Sequence, residues 1–270
     1  MIEAETFYRL IVFFSIFALV ALLELIIPRR PKNRPVLKRW GVNFGILFLG
    51  SLLVRVIIPW AAIDVAYHVE RLNWGLFHYF AFSKQSVFWD FFLGFLLLDL
   101  AIYFQHRVFH QIPWLWRLHS VHHLDRDLDV SSGNRFHPLE ILLSMFIKIG
   151  LVIFFGISAW SVLVFEIVLN ASSMFNHGNF RISNGLERPL RRLIITPDFH
   201  RIHHSVYPDE MNSNFGFFLS IWDWTFGTAL KEPKDGQLGM VIGLDEYHEL
   251  KWVSLKEALV FPFKKNEIKV

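Results

Sequence analysis

Long apolar segments separated by short polar connections dominate the first part of the chain. Residues 7–28 form an apolar run long enough to cross the roughly 30 Å hydrocarbon core of a bilayer as a helix. Two similar runs cover residues 43–66, interrupted by Arg55 and Pro59, and residues 86–104. The pattern therefore predicts several membrane-spanning helices.

A fourth apolar run, residues 140–175, is too long for one crossing, because as a single helix it would measure about 54 Å. We predict a hairpin of two short spans that turns near Ile157. Lys148 and Glu166 each lie nine residues from that turn, at the same depth, and are predicted to pair across the hairpin. The alternative is that Lys148 reaches the headgroups while Glu166 bonds a neighbouring helix at Arg55.

The connection between the first two runs indicates the orientation of the chain. Residues 29–39 contain six basic and no acidic residues, which by the positive-inside rule predicts a cytoplasmic loop. The N-terminus is then expected outside, and the polar segments that follow the third run are expected in the cytoplasm together with the C-terminus. We expect a multi-pass protein of a bacterial cell membrane.

Composition supports the membrane assignment and restricts the chemistry. The chain has 270 residues, of which 53% are hydrophobic and 17% aromatic, and its net charge of +3 is modest for a nucleic-acid partner. It contains no cysteine, so a metal site must use nitrogen or oxygen ligands. Ten of the 13 histidines fall between His106 and His204, which indicates that a local site is built there.

The histidines occur in patterns that suit metal ligation. His106 and His110 are four residues apart, on the helical face that also carries Asp99 and Tyr103. Two His-x-x-His-His triplets follow, at residues 119–123 and 200–204. At this histidine content such a triplet arises by chance at about one position in 10⁴, so two copies are not noise.

Each triplet is expected to place its first and second histidines on one helical face and its third elsewhere, so that neighbouring histidines serve different ions. The eight imidazoles exceed the needs of one ion, so two ions are predicted. Neutral imidazole suits zinc, copper, iron and nickel, and ligand type does not choose between them. Two ions beside lipid favour oxygen chemistry over a closed structural zinc site.

These motifs resemble those of a known superfamily. "HRVFH", "HSVHH" and "HRIHH", in that order and after "LDLAIYFQ", resemble the three histidine boxes of the fatty acid hydroxylase/sterol desaturase superfamily of integral membrane di-iron enzymes. The segments "HPLE", "NHGNF", "TPDFHRIHH" and "NFGFFLSIWDWTFGT" add to the likeness. It extends from Asp99 to Thr228, nearly half the chain.

The spans and the resemblance together predict the architecture. We expect an all-α integral membrane protein with four to five transmembrane or re-entrant helices and a cytoplasmic helical cap that holds a histidine-rich dimetal site. It would form a single membrane-embedded domain, residues 1–270. Residues 1–85 would supply the N-terminal spans, 86–228 the histidine-box catalytic core, and 229–270 a cytoplasmic or interfacial tail.

The resemblance also implies roles for individual residues. Two irons, for which zinc competes on overexpression, would be held by eight boxed histidines and one additional ligand, namely His106, His110, His119, His122, His123, His200, His203, His204 and His177. Three further residues are candidates for orienting the ligands, namely Asp99, His137 and Asp198, and His137 is alternatively a ligand itself.

The resemblance implies oxidation of a lipid. The expected reaction hydroxylates or desaturates a C–H bond of a sterol, fatty acyl, alkyl-ether or carotenoid substrate with O2. No dinucleotide, flavin or haem motif is visible, so electrons would come from a ferredoxin, rubredoxin or cytochrome b5-like donor. Two alternatives stay open: a membrane zinc hydrolase with Glu140 as general base, and a non-catalytic metal-binding transporter or sensor. A transporter would hold its ligands in mid-span, whereas these histidines are expected beyond the span ends.

Overall fold

The computed structural model describes residues 2–32, 35–80, 86–245 and 253–264, with side chains from residue 5 onward. Within these ranges the chain forms helices, turns and isolated bridges but no strand, which confirms the all-α prediction. The helices are α1 (Ile2–Ile26), α2 (Val36–Ile57), α3 (Ala62–Arg71), α4 (Leu76–Tyr79), α5 (Val87–Gln111), α6 (Pro113–His123), α7 (Pro138–Phe155), α8 (Ala159–Asn176), α9 (Asn184–Leu190), α10 (Pro197–His203), α11 (Pro208–Met211), α12 (Ile221–Thr225), α13 (Gly236–Gly239) and α14 (Leu255–Val260). Short 3₁₀ turns cover Ser132–Asn134 and Phe261–Phe263.

In the described part of the chain, five segments are long and apolar enough to cross a membrane, which confirms the prediction of four to five spans. They are Glu5–Ile26, Val36–Tyr79, Val87–Gln111, Pro138–Phe155 and Ala159–Asn176. Their outward faces carry large exposed apolar side chains such as Phe14, Phe48 and Phe154. Such faces suit contact with lipid rather than with water.

The second span differs from its predicted limits of residues 43–66. Helix α2 begins at Val36 and ends at Ile57, where Pro59 stops it because proline lacks an N–H group and disfavours helix in the residue before it. A new helix, α3, then starts beyond Ala61, whose N–H donates to the Asp64 side chain at 2.8 Å. The apolar run is therefore two helices.

The predicted hairpin is confirmed. Helices α7 and α8 are joined by a tight turn at Gly156, whose φ of 74° lies in the left-handed region that glycine adopts at little cost. A side chain there would also collide with the Trp74 carbonyl oxygen, 2.4 Å from the position of a Cβ atom. Helix α3 packs against both arms of the hairpin.

The predicted pairing across the hairpin is also confirmed. Lys148 Nζ lies 2.6 Å from Glu166 Oε1. A third charge, which no local pattern predicts, joins the pair: Arg9 of α1 donates to Glu166 Oε2 at 2.5 Å. The alternative partner, Arg55, instead approaches the Pro59 carbonyl oxygen at 3.4 Å.

The helices outside the spans cover one end of the bundle and form the cap. Helix α6 and the tail helix α14 pack with α2 around a buried apolar cluster that includes Ile46, Trp116, Val121 and Ala258. Part of the predicted tail, residues 246–252 and 265–270, lies outside the described residues. The division of the chain into three parts remains a prediction.

Candidate metal centre

Nine buried imidazoles meet where the cap contacts the spans. Two lie in the last turns of α5 and three lie in α6. One follows α8 directly, and the last three lie in α10 and at the residue after it. They are His106, His110, His119, His122, His123, His177, His200, His203 and His204. Sequence analysis predicted all nine as ligands.

Local sequence explains how these helices converge. Pro113 forces Ile112 into an extended conformation, which ends α5 and starts α6 at a sharp corner. This corner brings His106 Nε2 to 3.1 Å from His119 Nε2. Thr196 starts α10 in a similar way, since its hydroxyl accepts a hydrogen bond from the Phe199 N–H at 3.3 Å.

Among the described residues, the imidazoles fall into two groups, and within each group the potential ligand atoms lie within 4.8 Å of one another. The first group is His106, His110, His119, His123 and His203. The second group is His122, His177, His200 and His204. Every member of both groups is buried. The two groups fit the prediction of two ions.

The division of each triplet between the groups corrects our expectation. In the first triplet His119 and His123 lie in one group, whereas His122 lies in the other. In the second triplet His200 and His204 lie together and the middle histidine lies apart. The first and third positions share a face because residues four apart differ by about 40° around a helix and residues three apart by about 60°.

The spacing of the ring nitrogens in the second group fits a bound metal ion. His177 Nε2 lies 2.9 Å from His122 Nε2, 3.1 Å from His200 Nε2 and 3.2 Å from His204 Nε2. Neutral imidazoles that face one another with lone pairs gain nothing from such contacts. Two nitrogens that each lie about 2.1 Å from one ion at a right angle are about 3.0 Å apart, close to these distances.

The first group has unused nitrogens of the same kind. The Nε2 atoms of His110 and His203 are buried and lack a hydrogen-bond partner among the described residues, as do both ring nitrogens of His123. Polar atoms without partners are rare in protein interiors, and a bound water or ion is one explanation for them. The residues present therefore fit a metal ion in each group.

The other ring nitrogen of several ligands is held by a fixed acceptor. Three Nδ1 atoms lie within hydrogen-bond distance of backbone carbonyl oxygens: His106 of Phe215 (2.8 Å), His177 of Ser173 (2.6 Å) and His203 of Ser213 (2.8 Å). Donation from Nδ1 leaves Nε2 as the lone-pair nitrogen and fixes the ring orientation.

Glu140 performs the same task for His119. Its Oε1 lies 2.7 Å from His119 Nδ1, and both side chains are buried. Sequence analysis considered Glu140 only as a base for hydrolysis, although its place in the "HPLE" segment marked it as part of the site. A carboxylate that accepts from a ligand imidazole raises the basicity of the coordinating nitrogen.

Burial keeps the cap imidazoles neutral, which is the form that binds metal. Burial lowers the pKa of His177 to about 4 and that of His203 to about 3. The pKa values of His122, His123, His200 and His204 also fall below the ordinary value, first because of burial and then because of the neighbouring imidazoles. Protons therefore compete weakly for these ligands.

The two predicted acidic orienting residues contact other groups instead of imidazoles. Asp99 Oδ2 accepts hydrogen bonds from the Leu219 N–H at 3.2 Å and from the Trp222 indole at 2.8 Å. Asp198 forms ion pairs with Arg29 and Arg201. The expectation that these acids fix imidazole tautomers is therefore corrected: they anchor the segments that carry or face the ligands.

His137 also has a structural contact rather than a place in either group. Its Nδ1 accepts the Leu139 N–H at 3.2 Å and so caps the start of α7, and its Nε2 lies 3.2 Å from the Leu259 carbonyl oxygen. Pro138 follows at the first helical position, as is common at helix starts. His137 can therefore affect the metal centre only through α7, the helix that carries Glu140.

The backbone acceptors were missed because a carbonyl has no sequence signature. Asn214 offered a partial signal: its φ of 52° lies in the left-handed region, where asparagine is enriched. Its side chain is held by the Phe199 carbonyl oxygen and by both backbone polar groups of Leu230. This conformation sets the carbonyls on either side, Ser213 and Phe215, against two ligands.

A cavity of about 370 Å³ leads from the first group into the span region. His106 and His119 lie at one end, together with Glu140. Its walls come mainly from α5, α7 and α8, and include apolar side chains such as Met145 and Phe217. The histidines of the second group do not line it. The first group therefore faces the space in which a ligand could lie.

Comparison with known families agrees with this arrangement. A sequence model described as fatty acid hydroxylase matches residues 91–228, about half of the chain and the part that carries all nine histidines. The chain belongs to the fatty acid hydroxylase family. This confirms the family that the histidine boxes predicted.

Several characterised proteins are similar to this family member. Ornithine lipid hydroxylase OlsE of Rhizobium tropici is 28% identical over 241 residues, which is 83% of this chain and 67% of that protein. Alkylglycerol monooxygenase of Homo sapiens is 26% identical over 168 residues, 60% of this chain and 36% of that protein. A very-long-chain aldehyde decarbonylase of Oryza sativa is 24% identical over 158 residues, 55% of this chain and 24% of that protein.

The chain spans only part of the length of these relatives. The matched segment spans about a third of the human alkylglycerol monooxygenase and 48% of that of Xenopus tropicalis. No solved structure matches the chain significantly.

Proposed function

We propose that this protein is a membrane-bound di-iron oxygenase that hydroxylates or desaturates a C–H bond of a lipid, using O2 and electrons from a separate donor. One observation carries the proposal: two groups of buried imidazole nitrogens lie side by side, and a largely apolar cavity leads from the spans to one of them. Membership of the fatty acid hydroxylase family supports it.

The ligand set supports two irons. The first group offers five nitrogens and the second offers four, and none is a thiolate. Structural zinc sites close with four ligands, which would leave one imidazole of the first group without a role. Imidazole also suits iron, which has the redox chemistry that oxygenation needs. When bound, the metals supply the activation of O2 and the removal of hydrogen from carbon.

The protein's own residues provide position and exclusion of water. Carbonyl oxygens and Glu140 fix the ligand rings, so that the nitrogens stay aimed at the ions. His106 and His119 line the cavity, so the metal of the first group would lie nearer the substrate carbon. Phe109, Phe136 and Phe217 surround this end of the cavity and keep the reacting carbon in an apolar environment.

The substrate is proposed to be an amphiphilic lipid. The relatives named above include hydroxylases of ornithine lipid and of alkylglycerol, both of which combine hydrocarbon with a polar part. The cavity lies among helices suited to a bilayer and mixes apolar walls with a few polar side chains. Such a lining fits a lipid that enters from the membrane.

The electron donor and the orientation are part of the proposal. A chain without cysteine cannot hold its own iron–sulfur cluster, so a ferredoxin, rubredoxin or cytochrome b5-like protein would deliver electrons. The cap and the C-terminus would face the cytoplasm, where such donors are available, and the N-terminus would lie outside.

Two observations disfavour the alternatives. The hydrolase would have to use as its general base the same carboxylate that orients a metal ligand, because Glu140 Oε1 contacts His119 Nδ1 and only Oε2 lacks a partner among the described residues. A transporter would hold its ligands in mid-span, whereas seven of the nine histidines lie outside the five apolar segments and the other two lie near the end of one.

Turnover of lipid extracts tests the proposal. Purified protein loaded with Fe²⁺ is mixed with a reducing system and membrane lipids, with and without O2, and the products are separated by mass spectrometry. We expect lipids that have gained one oxygen atom or lost two hydrogen atoms, in the aerobic sample only. The variant His106→Ala is the inactive control. Products that form equally without O2 would contradict the proposal.

A further inference from the structure

The cavity that is lined by His106 and His119 is also lined by three charged side chains. Lys148 of α7 and Arg9 of α1 each bind one oxygen of Glu166 of α8, at 2.6 Å and 2.5 Å. All three line the cavity. The side chains of Lys148 and Glu166 are only 10% and 8% exposed, whereas that of Arg9 is 29% exposed, so two of the three charges are buried among apolar helices and the third is partly buried.

The charge cluster contains two cations and one carboxylate. Both oxygens of Glu166 are already engaged, and the Arg9 Nη2 atom is buried without a hydrogen-bond partner among the described residues. Glu5, one turn before Arg9, is occupied by the Tyr67 hydroxyl at 3.0 Å. Glu5 keeps its charge but forms no ion pair with Arg9 among the described residues, so the contacts within the cluster itself leave one net positive charge, which is costly in a membrane-spanning bundle.

The cavity between the charge cluster and the histidines has the polarity of a lipid binding site. Apolar side chains such as Leu47, Ile141 and Leu169 form much of its walls. Asn134 Nδ2 and Gln105 Oε1, which also belong to lining residues, are buried without hydrogen-bond partners in the described part of the chain. A bound molecule with hydrocarbon and polar parts would satisfy both kinds of surface.

We propose that Arg9 and Lys148 bind the anionic group of the lipid substrate, a carboxylate or a phosphate, while its hydrocarbon chain extends towards His106 and His119. The inference rests on the proposed function and deepens it. Arg9 Nη2 and the remaining ammonium hydrogens of Lys148 are the donors for the anion. Glu166 holds the two cations in place and limits their excess charge to one.

The geometry also predicts where the lipid is oxidised. Glu140, which contacts His119, and Lys148 lie on one face of α7, eight residues and therefore about 12 Å apart. An extended chain advances about 1.2 Å per covalent bond, as the extended backbone does. A chain anchored at the charge cluster would therefore place a carbon about ten bonds from its anionic group near Glu140 and His119, two of the residues that line the cavity beside the first group.

Binding measurements on the purified full chain test this assignment without turnover. In an uncharged detergent at mildly alkaline pH, native mass spectrometry compares hexadecanoate, hexadecyl phosphate and hexadecanol. We expect at least one of the anions to bind about tenfold or more tightly than the alcohol. Preference for hexadecanoate identifies a carboxylate as the anchored group, and preference for hexadecyl phosphate identifies a phosphate.

The variants separate anion binding from a structural role. Arg9→Gln and Lys148→Met should each weaken anion binding about tenfold and leave hexadecanol binding unchanged. Glu166→Gln should have the opposite effect and tighten anion binding, because it leaves two uncompensated cations. Arg55→Gln, on the exposed surface of α2 and away from the cavity, is the matched control. If Arg9→Gln does not fold, Lys148→Met alone decides.

Two results would overturn the assignment: equal binding of the alcohol and both anions by the unaltered protein, or a loss of anion binding in Glu166→Gln as large as in the cation variants. The second result would mean that the charge cluster only fixes helix packing. Anion-selective binding without any oxidised product would leave this inference standing and contradict the proposed function.

Discussion

Removal of the Glu140 carboxylate should weaken the first metal group. Glu140 Oε1 and His119 Nδ1 lie 2.7 Å apart, a length typical of charge-assisted hydrogen bonds, and both side chains are buried. Loss of such a contact to a ligand imidazole typically costs 10- to 100-fold in metal affinity or activity, which corresponds to about 1.4 to 2.7 kcal/mol. We expect Glu140→Ala to lower the metal affinity about 100-fold. Glu140→Gln keeps an acceptor oxygen and should lower it about tenfold.

Competition with a chelator measures this effect directly. Iron-loaded protein and its variants are titrated with a chelator. The iron that remains bound and the rate of lipid turnover are measured at each chelator concentration. Glu232→Ala is the matched control, because Glu232 is an exposed glutamate outside the site. If Glu140→Ala retains both irons at the chelator concentration that the unaltered protein withstands, and turns over lipid at the same rate, the orienting role of Glu140 is wrong.

Three further predictions concern the buried ion pair at the cap, the second metal group and the orientation. Asp125→Asn should lower the free energy of unfolding by about 2 kcal/mol in a denaturant titration, since Arg39 loses its bidentate partner at 2.8 and 2.9 Å and keeps, among the described residues, only Asp129 to pair with its buried charge; an unchanged midpoint would refute this. His122→Ala should lose about half of the bound iron in metal analysis while staying in the membrane, and a full complement would count against the two groups. Reporters fused before Glu3 and after Val270 should locate to opposite sides, with the second in the cytoplasm; a C-terminal reporter outside the cell would reverse the proposed orientation.

Local patterns predicted much of the fold because the membrane imposes simple rules. Run length and hydropathy identified the spans, and the symmetric spacing of Lys148 and Glu166 about the turn was enough to predict their contact. Arg9 was not predicted to join them, because its contact with Glu166 connects positions 157 residues apart. Such a contact depends on how α1 packs on α8, which no local pattern specifies.

The candidate site was also predicted only in part: its ligands were predicted from the sequence, and most of the groups around them were not. Histidine density and the superfamily motifs identified all nine imidazoles, since ligands must be particular residue types. The hydrogen-bond acceptors around them were predicted poorly, because an imidazole N–H can donate to any suitable acceptor, whichever residue supplies it. The acceptors for His106 and His203 are carbonyls set by the turn at Asn214, and Asp99 anchors that segment from a neighbouring helix.

The most direct test of the central claim is the fate of labelled oxygen. Purified iron-loaded protein is given reductant, membrane lipids and oxygen-18-labelled dioxygen in unlabelled water, and the lipid products are analysed by mass spectrometry. The account predicts lipids that carry one oxygen-18 atom, or lipids that have lost two hydrogen atoms while the label is reduced to water. Products whose new oxygen comes from water, or no oxidised lipid under any of these conditions with both metal groups occupied by iron, would contradict it.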